Sequence, residues 1–85
     1  MTLTVLYFAS LRETVGTGRE QIDLPAGVTT AGELRDWLRQ RGGAWAQALA
    51  EGRAVRVAVD QRMGGADTPV ADGAEVAFFP PVTGG

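Results

Sequence analysis

Two glycines, Gly84-Gly85, close this chain, and the carboxylate they carry is the group around which its chemistry has to be sought. The sequence contains no cysteine and no histidine. Disulfides, thiolate metal sites, iron–sulfur clusters, cysteine nucleophiles, zinc sites and histidine general bases are excluded together. All eight basic residues are arginine, so no side-chain amine is available for acylation, and Asp and Glu are the remaining side-chain bases. A carboxylate is a poor electrophile. It becomes reactive most simply by attacking the α-phosphate of ATP, giving an acyl-adenylate from which a sulfur or nitrogen nucleophile displaces AMP. The chain has no Gly-x-x-x-x-Gly-Lys-Ser/Thr loop to cradle a nucleotide. Activation is therefore expected from a partner enzyme that consumes ATP, with no cofactor or metal held by this chain and no catalysis by it alone.

The approach to that carboxylate is Phe78-Phe79-Pro80-Pro81-Val82-Thr83. Two prolines hold the exit extended, and β-branched Val82 and Thr83 favour extension as well. Four residues beyond Pro81 reach roughly 13 Å. Gly84 and Gly85, lacking side chains, let the backbone enter a narrow tunnel. A Gly-Gly pair alone is a weak signal, since Gly42-Gly43 and Gly64-Gly65 are accounted for as caps or turns, and a frayed end is the plain alternative. The proline context gives the expectation of a single domain over 1–81 and a flexible, extended tail over 82–85.

Something must hold the tail. Thr2 to Phe8 alternates as a strand, with Leu3, Val5 and Tyr7 on one face and Thr4, Leu6 and Phe8 on the other. Ser10-Leu11-Arg12-Glu13 has the form of a capping box opening a single helical turn that Gly16 ends. A second strand is expected over Glu20 to Leu24, with Ile22 and Leu24 inward. Thr30-Ala31-Gly32-Glu33 forms a second capping box, opening the main helix, Ala31 to Arg41, with Leu34, Trp37 and Leu38 as its buried stripe. A short helix over Ala44 to Ala50 follows. Val55, Val57 and Val59 mark a third strand, Gln61 to Met63 a short fourth, and Glu75 to Phe79 the last, stopped by Pro80. Strands with one main helix on one face give an α+β roll.

If Leu3, Val5 and Tyr7 face the helix, then Leu6 and Phe8 face away, as do Ala77 and Phe79 of the last strand. With Met63 they predict an apolar patch on the outer face, of the kind that marks a partner surface. The chain has 85 residues, 45% of them apolar, which suits one packed core. A net charge of −2 and a pI near 4.9, with no basic block, disfavour nucleic acid. No membrane span or leader is seen, so a soluble cytoplasmic protein is expected.

The run from Glu75 to Gly85, above all Phe78-Phe79-Pro80-Pro81-Val82-Thr83-Gly84-Gly85, resembles the carboxy terminus of the small, sulfur-carrying subunits of molybdopterin synthase. Val5-Leu6-Tyr7-Phe8-Ala9, Leu11-Arg12-Glu13, Gly16, Val57-Ala58-Val59, Gln61 and Asp72-Gly73 are similar to the same family. The resemblance implies a ubiquitin-like β-grasp fold with a mixed sheet of about five strands, the first and last parallel and central. It implies that an E1-like adenylating enzyme activates Gly85 with ATP, and that a persulfide donor supplies sulfur for a C-terminal thiocarboxylate. The tail, Val82, Thr83, Gly84 and Gly85, would then enter the active site of the large catalytic subunit. There it would give sulfur to cyclic pyranopterin monophosphate, in an assembly of two small and two large subunits. Phe8, Met63 and Phe79 fall where the family's docking patch lies, with Arg12, Pro80 and Pro81 beside it. Asp60 departs from the Asn usual at its position, which bears on a turn hydrogen bond because an ionised Asp cannot donate. Other readings stay open here: a sulfur carrier for thiazole, cysteine or tRNA thiolation, a ubiquitin-like protein modifier joined through Gly85, or an interaction domain with an idle tail.

Overall fold

A computed structural model of the chain describes residues 1–81; the expected tail, 82–85, lies outside the described residues. The elements run β1 Thr2–Tyr7, α1 Ala9–Val15, β2 Arg19–Asp23, α2 Ala31–Arg39, α3 Gly43–Ala48, β3 Arg56–Val59, β4 Arg62–Gly64 and β5 Glu75–Phe79. One sheet has the order β2-β1-β5-β3-β4, with β1 and β5 parallel and every other pair antiparallel. This is the β-grasp arrangement, with the first and last strands side by side at the centre. Its inner face carries Leu3, Val5 and Tyr7 of β1 against Val76 and Phe78 of β5, and Leu34 and Leu38 of α2 close over the same core. All of these are essentially inaccessible to water, as the period-two and helical spacings require.

The start of α2 follows its sequence signal. The Thr30 hydroxyl accepts from the Glu33 N–H at 3.2 Å, and the Glu33 carboxylate accepts from the Thr30 N–H at 3.1 Å and the Thr29 N–H at 2.9 Å. These bonds, led by that from the Thr29 backbone, hold the Glu33 carboxyl below its ordinary pKa. The end differs from expectation. The helix stops at Arg39, where the Gln40 N–H divides between Asp36 and Trp37 carbonyls, both at 3.2 Å, and Gly42 turns the chain at φ 75°. Trp37 is half-buried and lies beside the stripe, while Leu34 and Leu38 form it.

The capping box expected at Ser10 is absent. The Phe8 N–H bonds to the Phe78 carbonyl at 3.2 Å, which prolongs the β1–β5 ladder and keeps Phe8 extended. Phe8 therefore serves as N-cap, and its carbonyl accepts from Leu11 N–H at 3.1 Å. Ser10 sits inside the helix, its carbonyl taken by the Thr14 hydroxyl at 2.9 Å. The chain turns from strand to helix through Ala9 at φ 52°, a left-handed conformation that disfavours any Cβ. Burial of Leu11 and Val15 extends α1 to seven residues rather than one turn, and Gly16 at φ 83° ends it as expected. Strand β1 accordingly stops at Tyr7, one residue short of the expected Phe8. The short helix α3 begins at Gly43 and ends at Ala48.

At the β3–β4 turn, Asp60 and Gln61 both have positive φ, 51° and 68°, the signature of a two-residue hairpin turn that favours Asn or Asp first. The Asp60 carboxylate accepts from the Glu75 N–H at 3.0 Å. That bond needs an acceptor only, so the Asp in place of Asn serves it.

Candidate docking face at the tail exit

The strand registers arrange the outer face into rows. Gln21, Thr4 and Glu75 lie side by side on β2, β1 and β5. The next row is Arg19, Leu6, Ala77, Ala58 and Met63, crossing all five strands. Beyond it the β1–β5 ladder brings Phe8 beside Phe79, and Phe79 pairs with Arg56 of β3. The predicted patch thus exists as one surface, because parallel pairing puts the ends of β1 and β5 together at the point where Pro80 leaves the sheet. Phe8 is 47% exposed and Met63 61% exposed. Phe79, Pro80, Pro81 and Leu6 are half-buried. Ala77 lies on this face as expected but is covered, since a methyl on a central strand is shadowed by its neighbours on both sides.

Arg12 flanks this surface. Its side chain lies across Gly18, where an added Cβ would sit 3.0 Å from Nε, so the absence of a side chain at Gly18 is what lets Arg12 lie flat. Gly18 in turn accepts from the Tyr7 N–H at 3.0 Å, which anchors Arg12 at the exit end of β1. The structure also places Arg19 and Arg56 on this face, two residues outside the apolar set expected there. Only the strand register aligns them with Leu6 and Phe79. Behind Pro81, a cleft of about 460 Å³ opens between α2 and β3–β4, lined by Gly32, Ala54, Gly65 and Ala66 and reached by Arg56 and Met63. The Arg35 guanidinium beside it is committed to the Leu49, Ala50 and Arg53 carbonyls at 2.9, 2.6 and 3.1 Å.

On the opposite side of the sheet the polar groups are consumed internally. The Tyr7 hydroxyl donates to Glu20 at 2.8 Å and accepts from Trp45 Nε1 at 3.0 Å. Arg41 reaches the same carboxylate at 2.9 Å, and its guanidinium lies 5.3 Å from the Trp37 ring centroid and 5.0 Å from that of Trp45. Burial, followed by the neighbouring Glu20, raises the Tyr7 pKa well above the ordinary phenol value, while the Trp45 bond opposes this. Among the described residues no helix is long and apolar enough to cross a membrane.

Comparison with known proteins agrees with this architecture. The chain is 43% identical over 83 residues to the molybdopterin synthase sulfur carrier subunit of Haemophilus influenzae, covering 98% of this chain and 99% of that one. A solved structure from Pyrococcus furiosus, a putative molybdopterin converting factor subunit 1, superposes with a TM-score of 0.78 at 28% identity, covering 96% of this chain and 99% of that chain. SAMP1 from Haloferax volcanii superposes with a TM-score of 0.75 at 26% identity over 100% of both chains. Residues 5–85 match the ThiS family from the first strand to the final glycine. With that match and a curated relative alike over nearly its whole length, the chain belongs to the ThiS family.

Proposed function

We propose that this chain is the sulfur carrier subunit of a molybdopterin synthase, with the Gly85 carboxyl as the group that carries the sulfur. The observation that carries this reading is the 43% identity to sulfur carrier subunits from Haemophilus influenzae and Escherichia coli, over 98% of this chain. An E1-like enzyme with ATP would join the Gly85 carboxylate to AMP, releasing pyrophosphate. The terminal sulfur of a persulfide would displace AMP, and a thiol would free the thiocarboxylate, leaving one carboxylate oxygen replaced by sulfur. The carrier would then dock on the large catalytic subunit through Phe8, Met63 and Phe79, flanked by Arg12. Pro80 and Pro81 would aim Val82, Thr83, Gly84 and Gly85 into that subunit's active site. Sulfur would pass there to cyclic pyranopterin monophosphate. The cytoplasm, with its ATP and reducing thiols, suits each step.

The test is sulfur transfer with the large subunit. A chain lacking Gly85, given the same activating enzyme, ATP and persulfide donor, should transfer no sulfur, while its thermal midpoint and large-subunit affinity stay unchanged. Transfer persisting without Gly85 contradicts the proposal. Because the chain also superposes on SAMP1, described as a small archaeal modifier protein, the same material should be examined for isopeptide-linked adducts; their appearance without a thiocarboxylate would favour a protein modifier.

A further inference from the structure

Eight arginines are the only side-chain cations of the chain, and the structure divides them. Arg35, Arg39, Arg41 and Arg53 bond to carbonyls or carboxylates within the fold. Among the described residues Arg12, Arg19, Arg56 and Arg62 have no ion-pair or side-chain hydrogen-bond partner, and the two ion pairs present are Arg39–Asp36 and Arg41–Glu20. Three of these four flank the apolar outer face at the end where the tail leaves. Arg19 shares a row with Leu6, Arg56 shares one with Phe79, and Arg12 lies across Gly18 beside the end of β1. All three are exposed. Arg62, opposite Val59, has the alternation of the inner face and lies by the Asp60 turn.

The other end of the same face has the opposite sign. Glu75 lies beside Thr4, Asp23 is paired with Thr2, and Asp72 accepts from the Thr2 N–H at 2.7 Å. Asp60 is held at the Glu75 N–H. Among the described residues at this end, Glu13 stands next to Arg12 on α1, and Glu20, next to Arg19, is turned to the helix side, where Tyr7 and Arg41 take its carboxylate. A chain with a net charge of −2 therefore presents a positive margin around the patch that surrounds its exit.

We infer that this margin, Arg12 and Arg19 on one side and Arg56 on the other, selects the partner: an apolar groove with carboxylates on both flanks at the mouth of the tunnel that receives the tail. The inference rests on the docking reading given above and adds the partner's electrostatic character. Arg19 and Arg56 stand three strand spacings apart, roughly 14 Å. That exceeds the Debye length of about 8 Å at physiological salt, so each side needs a carboxylate of its own. The polarity of the face also fixes orientation: turned end for end, Glu75 and Asp23 would meet the partner's acids. Like-charge contact of that kind penalises the wrong register, and rim charges act mostly on association rate.

The experiment is stopped-flow association of the intact carrier with the molybdopterin synthase large subunit, at low salt and near 1 M salt. Wild type, R19E/R56E, the milder R19Q/R56Q and Phe79→Ala are compared, each checked for native near-ultraviolet circular dichroism. Steering of this kind changes association rates by about 10- to 1,000-fold. R19E/R56E should associate at least about tenfold more slowly at low salt, with R19Q/R56Q between it and wild type. The rates should converge near 1 M salt, where the Debye length is about 3 Å. Equal rates for all arginine variants at low salt, with Phe79→Ala still weakening the complex, overturn the margin and leave the docking reading standing. No weakening by Phe79→Ala either overturns the docking reading and the margin with it.

Discussion

The two faces of the central sheet are made from alternate residues of the same strands, yet they treat polar and aromatic groups in opposite ways. On the helix side Tyr7, Glu20, Arg41 and Trp45 satisfy one another, Trp37 and Trp45 sandwich the Arg41 guanidinium, and no buried side-chain polar atom among the described residues lacks a partner. On the outer side Phe8 and Met63 face water, and three arginines stand without a counter-charge among the described residues. Stability is thus concentrated on one face, and the proposed docking on the other. The one-residue step from Phe78, 1% exposed, to Phe79, half-buried beside the exit, crosses from the first role to the second.

Neighbouring substitutions can break that comparison. Phe78→Ala opens a cavity in the core and should cost about 3–5 kcal/mol of folding stability in chemical denaturation, the largest effect expected within the described fold. Phe79→Ala, one residue on, should change stability far less and weaken large-subunit binding by about 2 kcal/mol or more in calorimetry. Equal losses of stability from the two would erase the division of the faces. Tyr7→Phe leaves Trp45 Nε1 without its acceptor and Glu20 without one donor, a cost of about 1–3 kcal/mol, with binding unchanged. The same hydroxyl predicts a pH effect. Its pKa is raised in the folded state, so its contribution is complete below the unfolded phenol value of about 10. It is lost as pH rises beyond that value, because the unfolded chain gives up the proton first. Denaturation midpoints at pH 9 and 11 should fall for wild type more than for Tyr7→Phe. The smallest effect is at the α2 cap, where Thr30→Ala should cost about 1 kcal/mol in stability and nothing in docking.

Most of the fold was legible because its signals are local. The alternation of Leu3, Val5 and Tyr7, the Val57 and Val59 pair, and the Thr30–Glu33 box each name an element without knowledge of the rest. Glu75 to Phe79 was read with its observed limits. What failed was decided by distant partners. Ser10 lost the N-cap because β5 holds Phe8 extended through the Phe78 carbonyl, a contact spanning seventy residues. Trp37 packs against the core only in part, and its ring also meets the Arg41 guanidinium, a contact shared with Trp45 from another helix. The apolar members of the docking face were visible in the alternation of β1 and β5. Arg19 and Arg56 were not, because their alignment with Leu6 and Phe79 exists only once the sheet has its register.

The central proposal is that the Gly85 carboxyl carries sulfur. Intact mass spectrometry of the full chain, after incubation with its E1-like activating enzyme, ATP and a persulfide donor, tests this directly. The expected gain equals the difference between one sulfur and one oxygen atom, confined to the terminal peptide and dependent on ATP. An unchanged mass under conditions where the activating enzyme turns over ATP, or the same gain in a chain lacking Gly85, would contradict it.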